Sequence, residues 1–411
     1  MVQPDVPPTS PEGEARRFGV LLSTNDSTWG GLAAQMTELA VGLRATGFNP
    51  VILTTPLGGG ELVRRARALG LTTYLLPLRV MRRRFPFVDY YSVWRLSLRS
   101  ILKRERIAIV HTHDPRSGLA VMPAAAGLRL PLVWHIHDLD LDWVKPRTLR
   151  LQNRPGSVVV AISDAAARWA IARGVDPAHL RRIYNGIHLA PFSATARAEA
   201  RRSLGIADDE IAVALVGRLH PRKGQEDLIW AAAHPDLHDL NIRFFFLGAA
   251  EREGGAADYE RELRDLAATK GVEHRVVFLG LREDAPALLA GFDISAVPSR
   301  REAFGRVVVE SMHAGTPIAV YDDGALPELV RHEREGLVVP VGNPRALAAA
   351  IGRLARDPAL RARLGANARV RARDFSHERW LGHMTALYRE LLGIAPTSES
   401  AAHQLSGSLP T

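Results

Sequence analysis

A chain of 411 residues is too long for one core of ordinary size and suits two domains of conventional length. Its 53 Lys and Arg against 44 Asp and Glu leave a net charge of +9, which calls for an anionic partner: nucleic acid, a membrane surface or a phosphorylated substrate. Cysteine is absent, which excludes disulfides, thiol catalysis and thiolate metal sites, and no apolar run reaches the roughly 18 residues of a membrane span.

The polar, Pro-rich start, residues 1–16, has no apolar stretch for a secretory signal. It is expected to be a disordered lead, and the cytoplasm the expected compartment. From Phe18 onward short β-branched or apolar runs alternate with Ala- and Leu-rich amphipathic stretches, the pattern of βα units on a parallel sheet, so the fold class is α/β. Strands are predicted at Phe18–Leu22, Pro50–Leu53, Thr72–Leu76, Ile107–His111, Leu132–Ile136 and Val158–Ile162. Residues 188–195 read as a linker, and a second series follows at Ile211–Gly217, Arg243–Leu247, Val276–Leu279, Ile294–Val297 and Pro317–Val320. The expected division is a first domain over 17–190, a second over 191–376, a helix over 377–394 that packs back on the first, and a disordered tail over 395–411.

Within the first series, residues 79–106 carry most of the local positive charge, with only Asp89 and Glu105 opposing it. On a helix from about Val88, Arg95, Arg99, Lys103 and Arg106 share one face while Tyr91, Trp94, Leu98 and Leu102 share the next. Two readings fit. One is an interfacial helix on the anionic inner face of a membrane, and the other is an ordinary helix with its apolar face in the core.

Two segments could carry chemistry. Gly217-Arg218-Leu219-His220-Pro221-Arg222-Lys223-Gly224 follows an apolar strand, where the ligand crevice of an open α/β sheet lies. The fork of Arg218 and the compact charge of Lys223 could together neutralise a diphosphate without metal. Pro298 to Glu310 also follows a strand. Gly305 there permits close backbone approach at a helix start whose free N–H groups face an anion, while Glu302 and Glu310 can accept hydrogen bonds from sugar hydroxyls. The P-loop consensus is absent, as is GxGxxG after the first strand, which excludes a P-loop and disfavours a dehydrogenase.

With both segments in view, the chain resembles the retaining glycosyltransferases of the family-4 group, with the GT-B fold of two Rossmann-like domains facing a cleft. The resemblance spans residues 18–393 and rests on Trp29-Gly30-Gly31, Asn185-Gly186-Ile187, Gly217-Arg218 with Lys223-Gly224, and Glu302 and Glu310 around Phe304-Gly305. It implies that the second domain binds a nucleotide-diphosphate sugar and the first an acceptor, in cell-surface polysaccharide or glycolipid assembly. By the same resemblance Arg218 and Lys223 hold the diphosphate, Glu310 the ribose and Glu302 the transferred sugar. Gly30, Gly31, Phe304 and Gly305 complete the donor site, and His137 lies near the anomeric carbon. Reaction with retention is implied, and no cofactor or metal is expected.

His111, His113 and His135 are neighbouring alternatives to His137, which could accept a proton or hydrogen-bond a hydroxyl near neutral pH. The alternating Asp138, Asp140 and Asp142 suit a hard divalent cation, but they also suit a short amphipathic strand. The chain departs from the family pattern at His188, where Asp is common, and at Gly248-Ala249-Ala250, which has one glycine where two are common. A nucleotide-sugar epimerase of related fold and a basic nucleic-acid binder remain as alternatives, although no recognisable nucleic-acid module is present.

Overall fold

The computed structural model describes residues 17–56, 60–76, 90–139, 141, 144–249 and 256–394. The expected lead and tail, residues 79–89 of the 79–106 basic run, Asp140 and Asp142 lie outside the described residues, as do the side chains of Tyr91, Trp94 and Arg95.

Thirteen strands are described, in two all-parallel sheets. The first holds β1 (Phe18–Ser23), β2 (Phe48–Thr54), β3 (Thr72–Leu75), β4 (Ile107–Thr112), β5 (Leu132–Ile136), β6 (Ser157–Ala161) and β7 (Leu180–Arg182), in the order β3-β2-β1-β4-β5-β6-β7. The second holds β8 (Ile211–Val216), β9 (Ile242–Leu247), β10 (Val276–Gly280), β11 (Ile294–Val297), β12 (Ile318–Tyr321) and β13 (Gly336–Val339), in the order β10-β9-β8-β11-β12-β13. Central strands such as Ile-Ala-Val-Ala-Leu-Val of β8 are apolar throughout because helices cover both faces of a parallel sheet. Registers are regular at the centres: Leu21 of β1 faces Val51 and Val110, and Val213 of β8 faces Phe244 and Ile294. In each sheet the strand order changes direction once, between β1 and β4 and between β8 and β11. Ligands of such sheets sit at these reversals, outside the carboxyl ends of the strands.

By contacts the chain forms two compact units. Among the described residues, one comprises those up to His135, Leu151–Val160 and those from 384 to 394. The other comprises Ile136–Arg150 and Ala161–His383. By contacts, segments 136–150 and 161–190 group with the second unit. One reason is Glu328, whose carboxylate accepts from Asp164 N at 2.8 Å and Ala165 N at 2.6 Å. It caps the helix Asp164–Ala172 together with Ser163 and is drawn by the positive end of the helix dipole.

In the first unit the late turns of the helix His377–Leu392 bring Tyr388 into the core, edge-on to Phe48 at 5.6 Å. Its hydroxyl lies 2.5 Å from His111 Nδ1, and burial holds the phenol well above its usual range, so it stays neutral. The helix Tyr90–Arg104 buries Leu98, Ile101 and Leu102 against the core and leaves Lys103 and Arg104 outward. The part of its apolar face that is described thus belongs to the fold, as in an ordinary sheet-covering helix. Among the described residues, no helix is long and apolar enough to cross a membrane.

The loop after β8 packs directly on the loop after β11, and Gly224 makes this possible. It takes φ +71°, and a Cβ there would stand 2.2 Å from the Pro298 carbonyl oxygen. Gly271 has nearly the same φ, +69°, with nothing within 4 Å of the same point. Gly271→Ala should therefore lose only the left-handed backbone term, about 1 kcal/mol, whereas Gly224→Ala must also push the two loops apart. Thermal unfolding should show a clearly larger loss for Gly224→Ala, and equal losses would contradict the close packing.

Candidate active site

The two loops at the β8/β11 reversal are joined three ways. Beyond the Gly224 contact, Arg300 N donates to the Arg222 carbonyl at 2.7 Å, and Lys223 Nζ lies 2.5 Å from Glu302 Oε2. The first loop holds its shape by internal bonds: Arg222 N donates to His220 Nδ1 at 3.1 Å, and the Gln225 amide donates to the Arg218 carbonyl at 2.9 Å. Arg218 is thereby presented at the surface end of the loop. Its charged form is disfavoured first by lost hydration and then by the like charge of Arg222, with Asp138 opposing. Crowded cations of this kind gain from any anion placed among them.

In the second loop Gly305, at φ +98°, caps the helix Arg306–Ala314, which has no side-chain cap and no acid in its first turn. Its first amides and Arg306 thus add to the positive field of the loop. Glu310 lies on the same helix, partly buried. Phe304 is buried, with ring centroids 6.2 Å from Tyr184 and 6.0 Å from Phe375. Its ring therefore anchors the loop from beneath, and any contact with a ligand falls to its backbone.

His137 follows β5 and clusters with this same unit. Burial lowers its pKa from 6.5 to about 3, against the pull of Asp138, so the ring is neutral at physiological pH. Asp138 lies 3.5 Å from Arg222, so one member of the alternating aspartates faces a guanidinium. Asp227 joins a further network, accepting from the Tyr321 hydroxyl at 2.9 Å and pairing with Arg300 at 2.7 Å.

In the first unit, Gly30 and Gly31 are exposed at the start of the helix Gly31–Ala45, whose N-cap Gly30 is extended and offers no side-chain acceptor. The loops after β1 and β4 are tied where Asn25 N donates to Asp114 Oδ2 at 2.7 Å. Trp29 carries Arg65 over its ring at 4.4 Å. His111, His113 and His135 form a buried trio close enough to suggest a cation site. Their rings nevertheless stack, with interplanar angles of 19° and 24° from His111, and His111 Nε2 lies 3.1 Å from His135 Nδ1. In that contact an N–H of one ring faces the lone pair of the other, so these two nitrogens are committed to each other.

Among the residues singled out from sequence, Lys223 and Glu302 touch, and Arg218, Gly305 and Glu310 lie on the same two loops and the helix that follows. Gly30 and Gly31 belong to the other unit. Sequence reasoning missed the Arg222–Asp138 pair, the Asp227 network and the hydrogen bond from the Arg301 guanidinium to the Leu139 carbonyl. Each is made by common surface residue types whose partners lie far away in the chain.

The model of glycosyl transferases group 1 matches residues 196–371, and that of glycosyltransferase family 4 matches residues 29–190. The D-inositol 3-phosphate glycosyltransferase of Salinispora arenicola is 35% identical over 321 residues, covering 72% of this chain and 71% of the relative. The same-named protein of Saccharomonospora viridis is 31% identical over 308 residues, covering 69% and 70%. Among solved structures, HepE of Anabaena, in complex with UDP and glucose, superposes with a TM-score of 0.76 at 24% identity, covering 90% of this chain and 98% of its own. Sucrose-phosphate synthase of Thermosynechococcus elongatus gives a TM-score of 0.76 at 23% identity, covering 92% and 100%. With two Rossmann-like parallel sheets, family models over both series of strands and relatives of this extent, the chain belongs to the group 1, family-4 glycosyltransferases of GT-B fold.

Proposed function

We propose that this glycosyltransferase takes its sugar from a nucleotide-diphosphate donor and transfers it with retention of configuration, using charge from the protein in place of a metal. The observation that carries this reading is the joining of the β8 and β11 loops. It pairs Lys223 with Glu302; Arg218 stands on the same loop as Lys223, and Glu310 stands on the helix Arg306–Ala314, whose start has no side-chain cap. Two cations and a helix N-terminus suit a diphosphate, and carboxylates suit diols. That the HepE structure holds UDP and glucose supports a uridine donor. The relatives named for inositol 3-phosphate support a hydroxyl acceptor that itself carries phosphate.

In this reading Lys223 exchanges Glu302 for the β-phosphate, which frees the Glu302 carboxylate to accept from a sugar hydroxyl. The anomeric carbon–phosphate oxygen bond breaks as the acceptor oxygen bonds the same face, and the acceptor proton passes to the leaving phosphate. Arg218 and Lys223 stabilise the charge that develops there. His137, with its pKa near 3, is a poor base at neutral pH and serves as a hydrogen-bonding partner that orients a sugar hydroxyl.

Among UDP, GDP, ADP and TDP, one nucleotide should raise the unfolding temperature equally with Mg and with EDTA, since ligand at 100 times its Kd stabilises by about 2.7 kcal/mol. Lys223→Ala should abolish the shift, and Glu310→Ala should lower turnover about 100-fold. A shift that needs Mg, or near wild-type rates in both variants, would refute the metal-free donor site.

The His137 ring also makes a pH prediction. Between its unfolded value of 6.5 and about 3, the unfolded chain takes up a proton at this site and the native chain does not, so stability falls as pH falls through that window. Above it the native ring does not titrate, and kcat/KM should show no limb from His137 between about pH 5 and 8. A limb near 6.5 that His137→Asn removes would contradict the neutral role.

A further inference from the structure

The short segment that follows β5 and carries His137 is held by both donor-site loops at once. Arg222 of the first loop faces Asp138 at 3.5 Å, and Arg301 of the second donates from its guanidinium to the Leu139 carbonyl at 2.8 Å, across 162 positions of sequence. The second contact is the more constrained. Arg301 stands at φ +53°, in the left-handed region that a residue with a Cβ adopts at a cost. Its backbone N–H is fixed there by Asp323 Oδ2 at 3.0 Å, and the next residue is Glu302, which pairs with Lys223. A backbone held in this conformation next to a ligand loop points to a geometric task.

We infer that Arg301 is a positioning residue: it spends its guanidinium on the Leu139 main chain, so that the loop bearing Glu302 and the segment bearing His137 keep a fixed spacing. The inference rests on the proposed donor site. Arg301 is cationic and adjoins that site, so direct contact with the diphosphate is the rival role, and the two differ in what they do to binding. A positioning residue acts on the reacting geometry, where a misplacement of about 1 Å costs up to about 100-fold in rate, while the ground-state affinity for nucleotide is untouched.

Arg301→Gly separates this role from folding, because glycine accepts φ +53° without strain and removes only the side chain. Arg301→Lys keeps the charge and one donor. Without ligand, hydrogen–deuterium exchange over residues 136–141 should speed up in Arg301→Gly while β8 and β11 keep wild-type protection, and Arg301→Lys should fall between. For turnover, the donor is the sugar conjugate of whichever of UDP, GDP, ADP or TDP stabilises the protein. With it, kcat of Arg301→Gly should fall about 10- to 100-fold, with the Kd of that nucleotide unchanged and partial recovery in Arg301→Lys. Unchanged exchange over 136–141, unchanged kcat, or a Kd weakened by the same factor as kcat would each overturn the inference. If none of the four nucleotides binds the wild type, the donor-site reading falls on its own, and the exchange experiment still decides whether Arg301 holds the segment.

Discussion

Between β8 and β11 the order of the second sheet changes direction, and the loops leaving those two strands must diverge to reach helices on opposite faces. Ligands of open α/β sheets bind in the crevice that this divergence leaves. Here it is drawn together, because Gly224 lets one loop rest on the Pro298 carbonyl and Lys223 reaches Glu302. The remaining features of the site depend on that closure: the exposed guanidinium of Arg218, the uncapped helix behind Gly305, and the proximity of the segment carrying His137.

The electrostatics follow from the same geometry. Arg218 and Arg222 repel one another at a point where hydration is reduced, and Arg306 sits at the positive end of a helix dipole, where a cation is disfavoured. Without ligand, the carboxylates Glu302 and Asp138 absorb part of this charge through Lys223 and Arg222. The site thus carries internal stand-ins for an anion. In the proposed reading a diphosphate takes the place of Glu302 beside Lys223 and releases that carboxylate to a sugar hydroxyl.

Much of this was legible in the sequence. All eleven predicted strands are present, because buried parallel strands read as apolar runs with turn residues at their ends. The two that were missed carry weaker patterns. Strand β7 is Leu-Arg-Arg, with one buried residue, and β13 is a four-residue Gly-Leu-Val-Val following a charged turn. Both cation-bearing loops were recognisable because glycines mark where the backbone must approach something closely. Linker composition does not register long-range contacts such as Glu328 capping a helix 164 positions earlier, which groups 161–190 with the second unit by contacts. Arg301 was passed over for a related reason. A positive φ at arginine leaves no mark in sequence, and its carbonyl partner is a backbone atom. Of the aspartates after His137, Asp138 faces Arg222, while Asp140 and Asp142 lie outside the described residues.

The most direct test of the account is a crystal structure of the protein with the nucleoside diphosphate that stabilises it. The account predicts the β-phosphate between Arg218, Lys223 and the first turn of the helix Arg306–Ala314, with the Lys223–Glu302 pair broken and Glu302 turned toward the sugar position. A nucleotide bound elsewhere, with Lys223 and Glu302 still paired, would contradict it.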